Sequence, residues 1–288
     1  MTHSSFLSHA RFRFFWLSLG LGMFSVLLYV VHEPNEPPNG GTWLGYVLGT
    51  VGAFLILWLA YLGRRKRNFL NGSGTVRGWV SAHVYLGSIL IVIGTLHTGF
   101  QFGWNIHTLA YILMCIVIFS GFYGVFAYST LPTTRNNLKD SQTLDEIFVQ
   151  VEDRDTQILK LVGGAIDEVN SAVTSAIDRT VIGGGYREQL FGIDRSLAMI
   201  RGRLVSNSGQ QAILDFLIEA LSRESGETRD QINQLLGAMA ERKKLLDIIR
   251  TDINVQARTS AWLLVHVPIT FALIASLIAH VFSVFIYW

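Results

Sequence analysis

The chain has 288 residues, of which 50% are hydrophobic and 15% charged, and its formal net charge is +2. Long blocks contain no charged residue at all, a composition that excludes an ordinary soluble domain and is typical of a multi-pass membrane protein. The single cysteine, Cys115, excludes an intramolecular disulfide and a cysteine-ligated zinc or iron–sulfur site. The absence of any Cys-x-x-Cys-His sequence excludes covalently attached haem as well.

Five apolar blocks predict five transmembrane helices, because each is long enough to cross a hydrocarbon core of about 30 Å. The blocks cover residues 14–31, 43–63, 78–104, 108–130 and 262–288. Arg11 and Arg13 precede the first block, as they would in a signal peptide. However, this block is about eighteen residues long and lacks a small-residue cleavage pattern, so we expect it to be retained as a span.

The positive charges lie on one side of these predicted spans. Seven of the 23 Lys and Arg residues lie in the N-terminal segment or between the second and third spans, and the other sixteen lie from Arg135 to Arg258. The two connections on the opposite side contain none. By the positive-inside rule we expect a bacterial-type cytoplasmic membrane protein whose N-terminus and 131–258 segment are cytoplasmic and whose C-terminus lies outside.

We therefore predict an all-α fold, an integral membrane five-helix bundle with a cytoplasmic helical insert between helices four and five. Residues 1–130 would form membrane helices one to four, residues 131–258 the insert, and residues 259–288 the fifth helix, which completes the bundle. In the insert, apolar residues recur at helical spacing. Gly- and Ser-rich breaks at 183–185, 206–209 and 225–226 divide it into about four amphipathic helices.

The predicted insert has no feature of a cofactor site. It contains no His or Cys, and its sixteen Lys and Arg against nineteen Asp and Glu give a net charge of −3, which argues against nucleic-acid binding. Its last helix is coiled-coil-like, with a repeat interrupted at Arg242 and Lys243. We interpret the insert as a docking or homo-oligomerisation module.

Two pairs of histidines stand in otherwise uncharged spans. His83 and His97 lie in the third predicted span, and His266 and His280 lie in the fifth, each pair fourteen residues apart. Fourteen residues return to nearly the same face of a helix and rise about 21 Å along its axis. Both spans run outward in the predicted topology, so His83 lies at the depth of His266 and His97 at the depth of His280.

Two parallel helices with this pattern can supply two imidazoles to each of two haem irons. We predict two b-type haems, one ligated by His83 and His266 and the other by His97 and His280. A lone membrane histidine more often forms an interhelical hydrogen bond or a proton path, but two matched pairs favour ligation. Iron with two imidazole ligands has no open position, which favours electron transfer over oxygen binding.

Other residues near these histidines are candidates for haem contact. Four small residues lie where a porphyrin would need room, namely Gly87, Gly94, Thr270 and Ser276. Close helix packing explains them equally well. Arg77 and Arg258 lie one to two turns from the inner ligands and are candidate partners for haem propionates, although positive-inside anchoring explains them too. We interpret His32 and His107 as interfacial polar residues, with contact to a haem propionate, a quinone or an external partner as the alternative.

The histidine spacing resembles that of the ferric reductase-like transmembrane domain, in which the third and fifth helices ligate two stacked haems. The resemblance covers about 130 membrane residues. The chain is also similar to bacterial membrane b-type cytochromes, in which a fourth span ending near Gly121-Phe-Tyr-Gly124 leads into a cytoplasmic helical insert. No Gly-rich dinucleotide-binding sequence follows a predicted strand, so oxidation of a nicotinamide cofactor is not implied.

The resemblance implies a lipid-embedded di-haem subunit of an oxidoreductase complex, not catalytic alone. It would carry electrons between a reduced donor, such as a quinol or a cytoplasmic-side carrier, and an external redox partner such as a multihaem cytochrome. The alternative is a five-span signalling or scaffold protein without haem, whose histidines form interhelical hydrogen bonds. A metal-ion transporter is less attractive, because the predicted spans contain no Asp or Glu.

Overall fold

The computed structural model describes residues 6–33, 37–63, 75–139 and 142–286, and it is 79% helical. The cationic stretch from Arg64 to Arg67, on which part of the predicted topology rests, lies outside the described residues. The chain divides into two compact units. Residues 1–129 and 262–288 form the first unit, and residues 130–261 form the second.

The first unit is built from apolar helices. They are α1 (Arg13–Val31), α2 (Trp43–Ala60), α3 (Val76–Thr98), the N-terminal part of α4 (Ile106–Lys139) and the C-terminal part of α9 (Gly226–Ile286). Within the described residues, each of these five helices contains a stretch long and apolar enough to cross a membrane. Phe54, Phe119 and Phe285 point outward with exposed fractions of 70%, 62% and 78%. Such surfaces are costly in water and stable in lipid, as expected of a multi-pass membrane protein.

The helix ends differ from the predicted span ends at several places. Helix α3 ends at Thr98 instead of residue 104, because Gly99 adopts the left-handed conformation (φ 57°) that terminates helices. Helix α4 continues past residue 130 to Lys139, and α9 begins at Gly226 instead of residue 259. Hydropathy predicts where the apolar part of a helix lies, but it does not predict whether the helix continues into a polar segment.

Helix α3 lies at the centre of the first unit. Its buried face packs with residues of α2, α4 and α9 in one apolar cluster, which contains Leu59, Ala82, Leu86, Leu90, Met114, Ile118 and Leu273. The Ser18 hydroxyl of α1 donates to the Tyr85 carbonyl of α3 over 2.7 Å. Threonine side chains cap α2 and α3, since the hydroxyls of Thr42 and Thr75 accept from backbone N–H groups in the first turn of each helix. These contacts fix the helices that carry the predicted ligands.

The second unit is mostly helical. It contains α5 (Leu144–Val162), α6 (Asp167–Asp178), α7 (Tyr186–Phe191), α8 (Gln211–Arg223) and the polar part of α9. The Gly- and Ser-rich breaks separate α6 from α7 and α8 from its neighbours on both sides. A further break at residues 163–166, which the sequence reading missed, divides α5 from α6.

The second unit also contains a β-hairpin, so the expectation of an all-α fold is wrong in this detail. Strands β1 (Leu197–Ile200) and β2 (Arg203–Ser206) pair antiparallel, with Ile200 opposite Arg203. Arg201 and Gly202 form the turn with positive φ values of 51° and 72°, the pattern of a tight hairpin turn. Arg201 pairs with Glu168 (3.2 Å) and Glu219 (2.8 Å). Two four-residue strands joined without the usual Asn-Gly turn leave little signal in the sequence.

A buried arginine lies in the core of the second unit. Arg242 is 2% exposed, and its Nε and Nη2 both contact the carboxylate of Asp155. Its Nη1 donates to the Thr180 hydroxyl and to the side-chain oxygen of Gln210, each over 3.1 Å. The residue that interrupts the apolar repeat of α9 therefore belongs to an ion pair that joins α9 to α5.

A second polar network holds the segment before β1 against α9. The Asp194 carboxylate accepts from the Ser196 backbone N–H (2.9 Å), the Gly209 N–H (2.7 Å) and Arg250 Nη1 (2.9 Å). Burial of the Arg250 guanidinium lowers its pKa, an effect that the carboxylates of Asp194 and Asp247 oppose. The Asp194 carboxylate thus connects the segment before β1 to Gly209 and to Arg250 of α9.

Candidate functional site

His97 is seated in a glycine-lined surface of α2. Its Nδ1 lies 2.8 Å from the Gly45 carbonyl oxygen. A Cβ placed on Gly49 would lie 2.7 Å from Cε1 and 2.9 Å from Nδ1 of the imidazole. Gly49 is one turn after Gly45, so the missing side chain leaves the Gly45 carbonyl accessible to the ring. These two glycines of α2 therefore hold a predicted ligand in place.

His280 lies against two other imidazoles. The ring centroids of His97 and His280 are 6.0 Å apart, with the ring planes at 86°. His280 Nδ1 is also 2.5 Å from His107 Nδ1, and these two centroids are 4.5 Å apart. His107 belongs to the first turn of α4, which begins at Ile106. The structure therefore brings together three imidazoles from α3, α4 and α9, including a contact between His107 and His280 that the sequence did not predict.

His266 contacts α4. Its Nδ1 is 2.7 Å from the Ser120 hydroxyl oxygen, and the Trp262 ring lies beside it with centroids 5.1 Å apart. Trp262 Nε1 donates to the Ser120 carbonyl over 2.8 Å. A Cβ on Gly124 would collide with the Trp262 ring, so the second glycine of the Gly121-Phe-Tyr-Gly124 sequence makes room for this indole. The motif therefore has a direct structural role around His266.

His83 contacts α2. Its Nδ1 lies 3.2 Å from the Leu59 carbonyl oxygen, in the last turn of that helix. The structure thus places the His97 and His280 rings side by side, while His83 and His266 each contact a different neighbouring helix. All four side chains are half-buried.

One chemical feature is shared by the four predicted ligands, since every Nδ1 has a hydrogen-bond partner. A carbonyl oxygen only accepts, so in neutral His83 and His97 the proton lies on Nδ1 and the lone pair lies on Nε2. Metal-ligating histidines in proteins almost always donate their other N–H to a carbonyl, a carboxylate or water, which fixes the tautomer and the ring orientation. The donor set therefore fits iron ligation through Nε2.

The four small residues predicted to contact haem have different surroundings. A Cβ on Gly94 would lie 2.7 Å from Met114 Cε, which favours close packing of α3 on α4, and Gly87 faces Leu59. The Thr270 hydroxyl donates to the His266 carbonyl over 2.8 Å. Ser276, one turn before His280, is 7% exposed, and its hydroxyl has no hydrogen-bond partner among the described residues. Of the four, Ser276 is the one with an unsatisfied polar atom near a predicted ligand.

The two predicted propionate partners lie in different units. Arg77 is in the first turn of α3, six residues before His83. Arg258 belongs to the second unit, where its Nε donates to the Leu190 carbonyl over 3.2 Å.

Comparisons with protein-family models, curated proteins and solved structures find no match for this chain. The resemblance to the ferric reductase-like domain therefore stays a prediction from histidine spacing. Within the described residues, no group of three or more His, Cys, Asp or Glu side chains is arranged to hold a metal ion. Among the described residues, the His280 ring contacts the rings of His97 and His107.

Replacing Gly49 with alanine is expected to displace His97 from its seat. The new Cβ would overlap the imidazole, so we expect the free energy of unfolding to fall by about 1–3 kcal/mol, although alanine is the better helix former. Thermal unfolding of the full-length protein in detergent would measure this change. Gly20→Ala is the matched control, because a Cβ there meets nothing within 4 Å. Equal effects of the two substitutions would show that Gly49 does not seat His97.

Proposed function

We propose that this protein is a five-span membrane cytochrome that binds two b-type haems and carries electrons across a bacterial-type cytoplasmic membrane. His83 and His266 would hold the inner haem, and His97 and His280 the outer one. The proposal includes the predicted orientation, with the second unit in the cytoplasm and the C-terminus outside.

The observation that carries this proposal is the hydrogen bonding of the four imidazoles. Each ring uses Nδ1 for a contact with another helix: Leu59 for His83, Gly45 for His97, Ser120 for His266 and His107 for His280. When the partner accepts a hydrogen bond from Nδ1–H, the lone pair of the neutral ring lies on the other nitrogen, Nε2. Metal-ligating histidines show the same pattern, with the ring nitrogen that does not bind the metal held by a hydrogen bond.

His97 and His280 are the two predicted ligands whose rings lie together, which supports their assignment as the outer pair. Their ring centroids are 6.0 Å apart, and the Nδ1 of each ring contacts a residue of another helix.

The residues of the chain would bind, orient and shield the haems. A bound haem supplies an iron that gains and loses one electron. The backbone of α2 orients His83 and His97, Ser120 orients His266, and the apolar helices exclude water from the ligands. His83 and His97 are fourteen residues apart, about 21 Å along α3, so they would hold two separate haems. A quinol or cytoplasmic carrier is the proposed donor, and an external redox protein is the proposed acceptor.

The test is the visible spectrum of the purified full-length protein. We expect a reduced-minus-oxidised spectrum of six-coordinate b-type haem and two haems per chain after extraction into pyridine. A colourless protein, purified from cells with sufficient haem, would overturn the proposal. Exogenous haem should then also fail to bind.

The second candidate is a membrane scaffold or signalling protein without haem. It is favoured by the same contacts, because each Nδ1 bond is also an interhelical hydrogen bond that stabilises the bundle. In that case the protein would be colourless, and replacing each histidine would lower its thermal stability.

His107→Ala is expected to leave two haems bound but to alter one of them. If the His280 Nδ1–H donates to His107, the bond enriches the imidazole in electrons and favours ferric iron. Its loss should raise the midpoint potential of one haem and weaken its binding by about 10–100-fold. Redox titration followed by optical and electron paramagnetic resonance spectra would measure both effects. His32→Ala serves as the control, and an unchanged potential in the His107 variant would contradict a positioning role.

A further inference from the structure

The short helix α7 of the second unit exposes a group of apolar side chains. Tyr186 is 52% exposed, Phe191 is 63% exposed, and Ile193, just after the helix, is 50% exposed. No residue of α7 is buried. We call residues 186–193 the α7 segment. A surface of this kind in a folded unit indicates a binding surface for an apolar partner.

The backbone of the α7 segment is fixed to α9. Asn254 Nδ2 donates to the carbonyls of Gln189 (2.6 Å) and Leu190 (3.0 Å). Arg258 Nε donates to the same Leu190 carbonyl over 3.2 Å. These bonds satisfy carbonyls at the end of α7 and hold its backbone against one side of α9, so the exposed side chains do not have to order a loop when they bind.

The attachment points lie just before the apolar part of α9. Arg258 and Asn254 precede Trp262, the first residue of the apolar block, by four and eight residues, which correspond to about 6 and 12 Å along a helix. The α7 segment is therefore held within two helical turns of the point where α9 becomes apolar.

We propose that the α7 segment lies in the headgroup region of the membrane and that its partner is the lipid surface. Tyr and Phe side chains are favourable at the boundary between headgroups and hydrocarbon, where an apolar ring and a polar group are both accommodated. Exposed Arg187 supplies positive charge for anionic phospholipids, while Arg195 pairs with Glu188 over 2.5 Å. The short distance along α9 to the apolar block favours lipid over a second copy of the chain or a soluble partner. The proposal depends on membrane insertion alone, so the absence of haem would leave it intact.

Spin labelling of the full-length protein tests the proposal. Cys115 is the single cysteine, so Cys115→Ser gives a background for Phe191→Cys. The labelled protein would be placed in vesicles of phosphatidylethanolamine and phosphatidylglycerol. Collision of the label with molecular oxygen, which concentrates in lipid, and with a water-soluble nickel chelate would then be measured.

Ile218→Cys in the same background is the matched control. Ile218 is 53% exposed on α8, and α8 shares an apolar cluster with Leu235 and Met239, which precede Trp262 by 23 residues or more, about 35 Å along a helix. We expect a severalfold higher ratio of oxygen to nickel collisions for the label at residue 191 than at residue 218.

Equal ratios at the two positions would overturn the proposal. A short spin–spin distance between labels at residue 191, together with free access of the nickel chelate in dilute vesicles, would also overturn it and identify a second copy as the partner. Because Phe191 is exposed, its replacement should leave the fold intact, and circular dichroism of each labelled variant would verify this.

Discussion

Replacing His97 with alanine is expected to reduce the haem content from two per chain to one. A six-coordinate haem held by two imidazoles loses one of its two protein bonds, and the remaining His280 would have to hold it alone. The change should be large and specific, since the predicted inner ligands His83 and His266 contact other parts of the bundle. Pyridine haemochrome analysis of purified protein, referred to protein concentration, measures the ratio.

Double substitutions test the pairing of the ligands. If His97 and His280 share one iron, the His97→Ala/His280→Ala protein should retain one haem, like either single variant. If His83 and His97 belong to different irons, the His83→Ala/His97→Ala protein should retain none. The double variants thus distinguish pairing across α3 and α9 from pairing within one helix.

His32→Ala is the control for nonspecific loss. His32 caps the end of α1 and packs edge-on against Trp43, apart from the four predicted ligands in sequence. It should keep two haems. Loss of both haems in the His97→Ala/His280→Ala protein, or an unchanged ratio in His97→Ala, would show that the assignment of the outer pair is wrong.

Replacing Arg242 with alanine is expected to destabilise the second unit by about 3–5 kcal/mol, the usual effect of breaking a buried ion pair. The substitution leaves the Asp155 carboxylate, which is 23% exposed, without its guanidinium partner. It also removes the hydrogen bonds to Thr180 and Gln210. Hydrogen exchange of the core amides of α5 and α9 in the full-length protein measures this change, because it reports on the second unit separately.

Lys243→Ala is the matched control for this prediction. Lys243 is the next residue and forms an exposed pair with Asp247 over 2.8 Å, so its loss should change the free energy of unfolding by only about 0.3–0.5 kcal/mol. A second variant, Arg242→Met combined with Asp155→Leu, removes both charges and should recover most of the lost stability. Equal protection in the Arg242 and Lys243 single variants would show that the buried pair does not stabilise the unit.

The sequence predicts the apolar helices well, because a long uncharged block has few structural alternatives. It also places the four histidines on helices whose residues share one bundle. It does not predict that α9 continues from Gly226 through the apolar block, since the polar half resembles a separate soluble helix. The sequence does not predict the hairpin at residues 197–206, because its strands are short. It does not predict the buried ion pair of Arg242 either, because a charged residue in an apolar repeat is usually solvent-exposed.

The immediate surroundings of the histidines could not be predicted from the sequence. The partners of His83 and His97 are carbonyl oxygens, which every residue has, and they belong to another helix. His107 gave no signal beyond its position near the start of a span. Its contact with His280 depends on how α4 and α9 pack, which a single sequence does not reveal.

The two carbonyl contacts of α2 have a mechanical consequence. Gly45 and Leu59 are separated by fourteen residues, the same interval as His83 and His97, and the helices run in opposite directions. The spacing of two carbonyls on α2 therefore matches the spacing of the two imidazoles on α3, and one helix positions both rings. A slide of α2 by a single turn would release the two rings together. Alanine at Leu59 would leave the contact with His83 in place, because the peptide oxygen survives replacement of the side chain, whereas a methyl group at Gly49 would push His97 away.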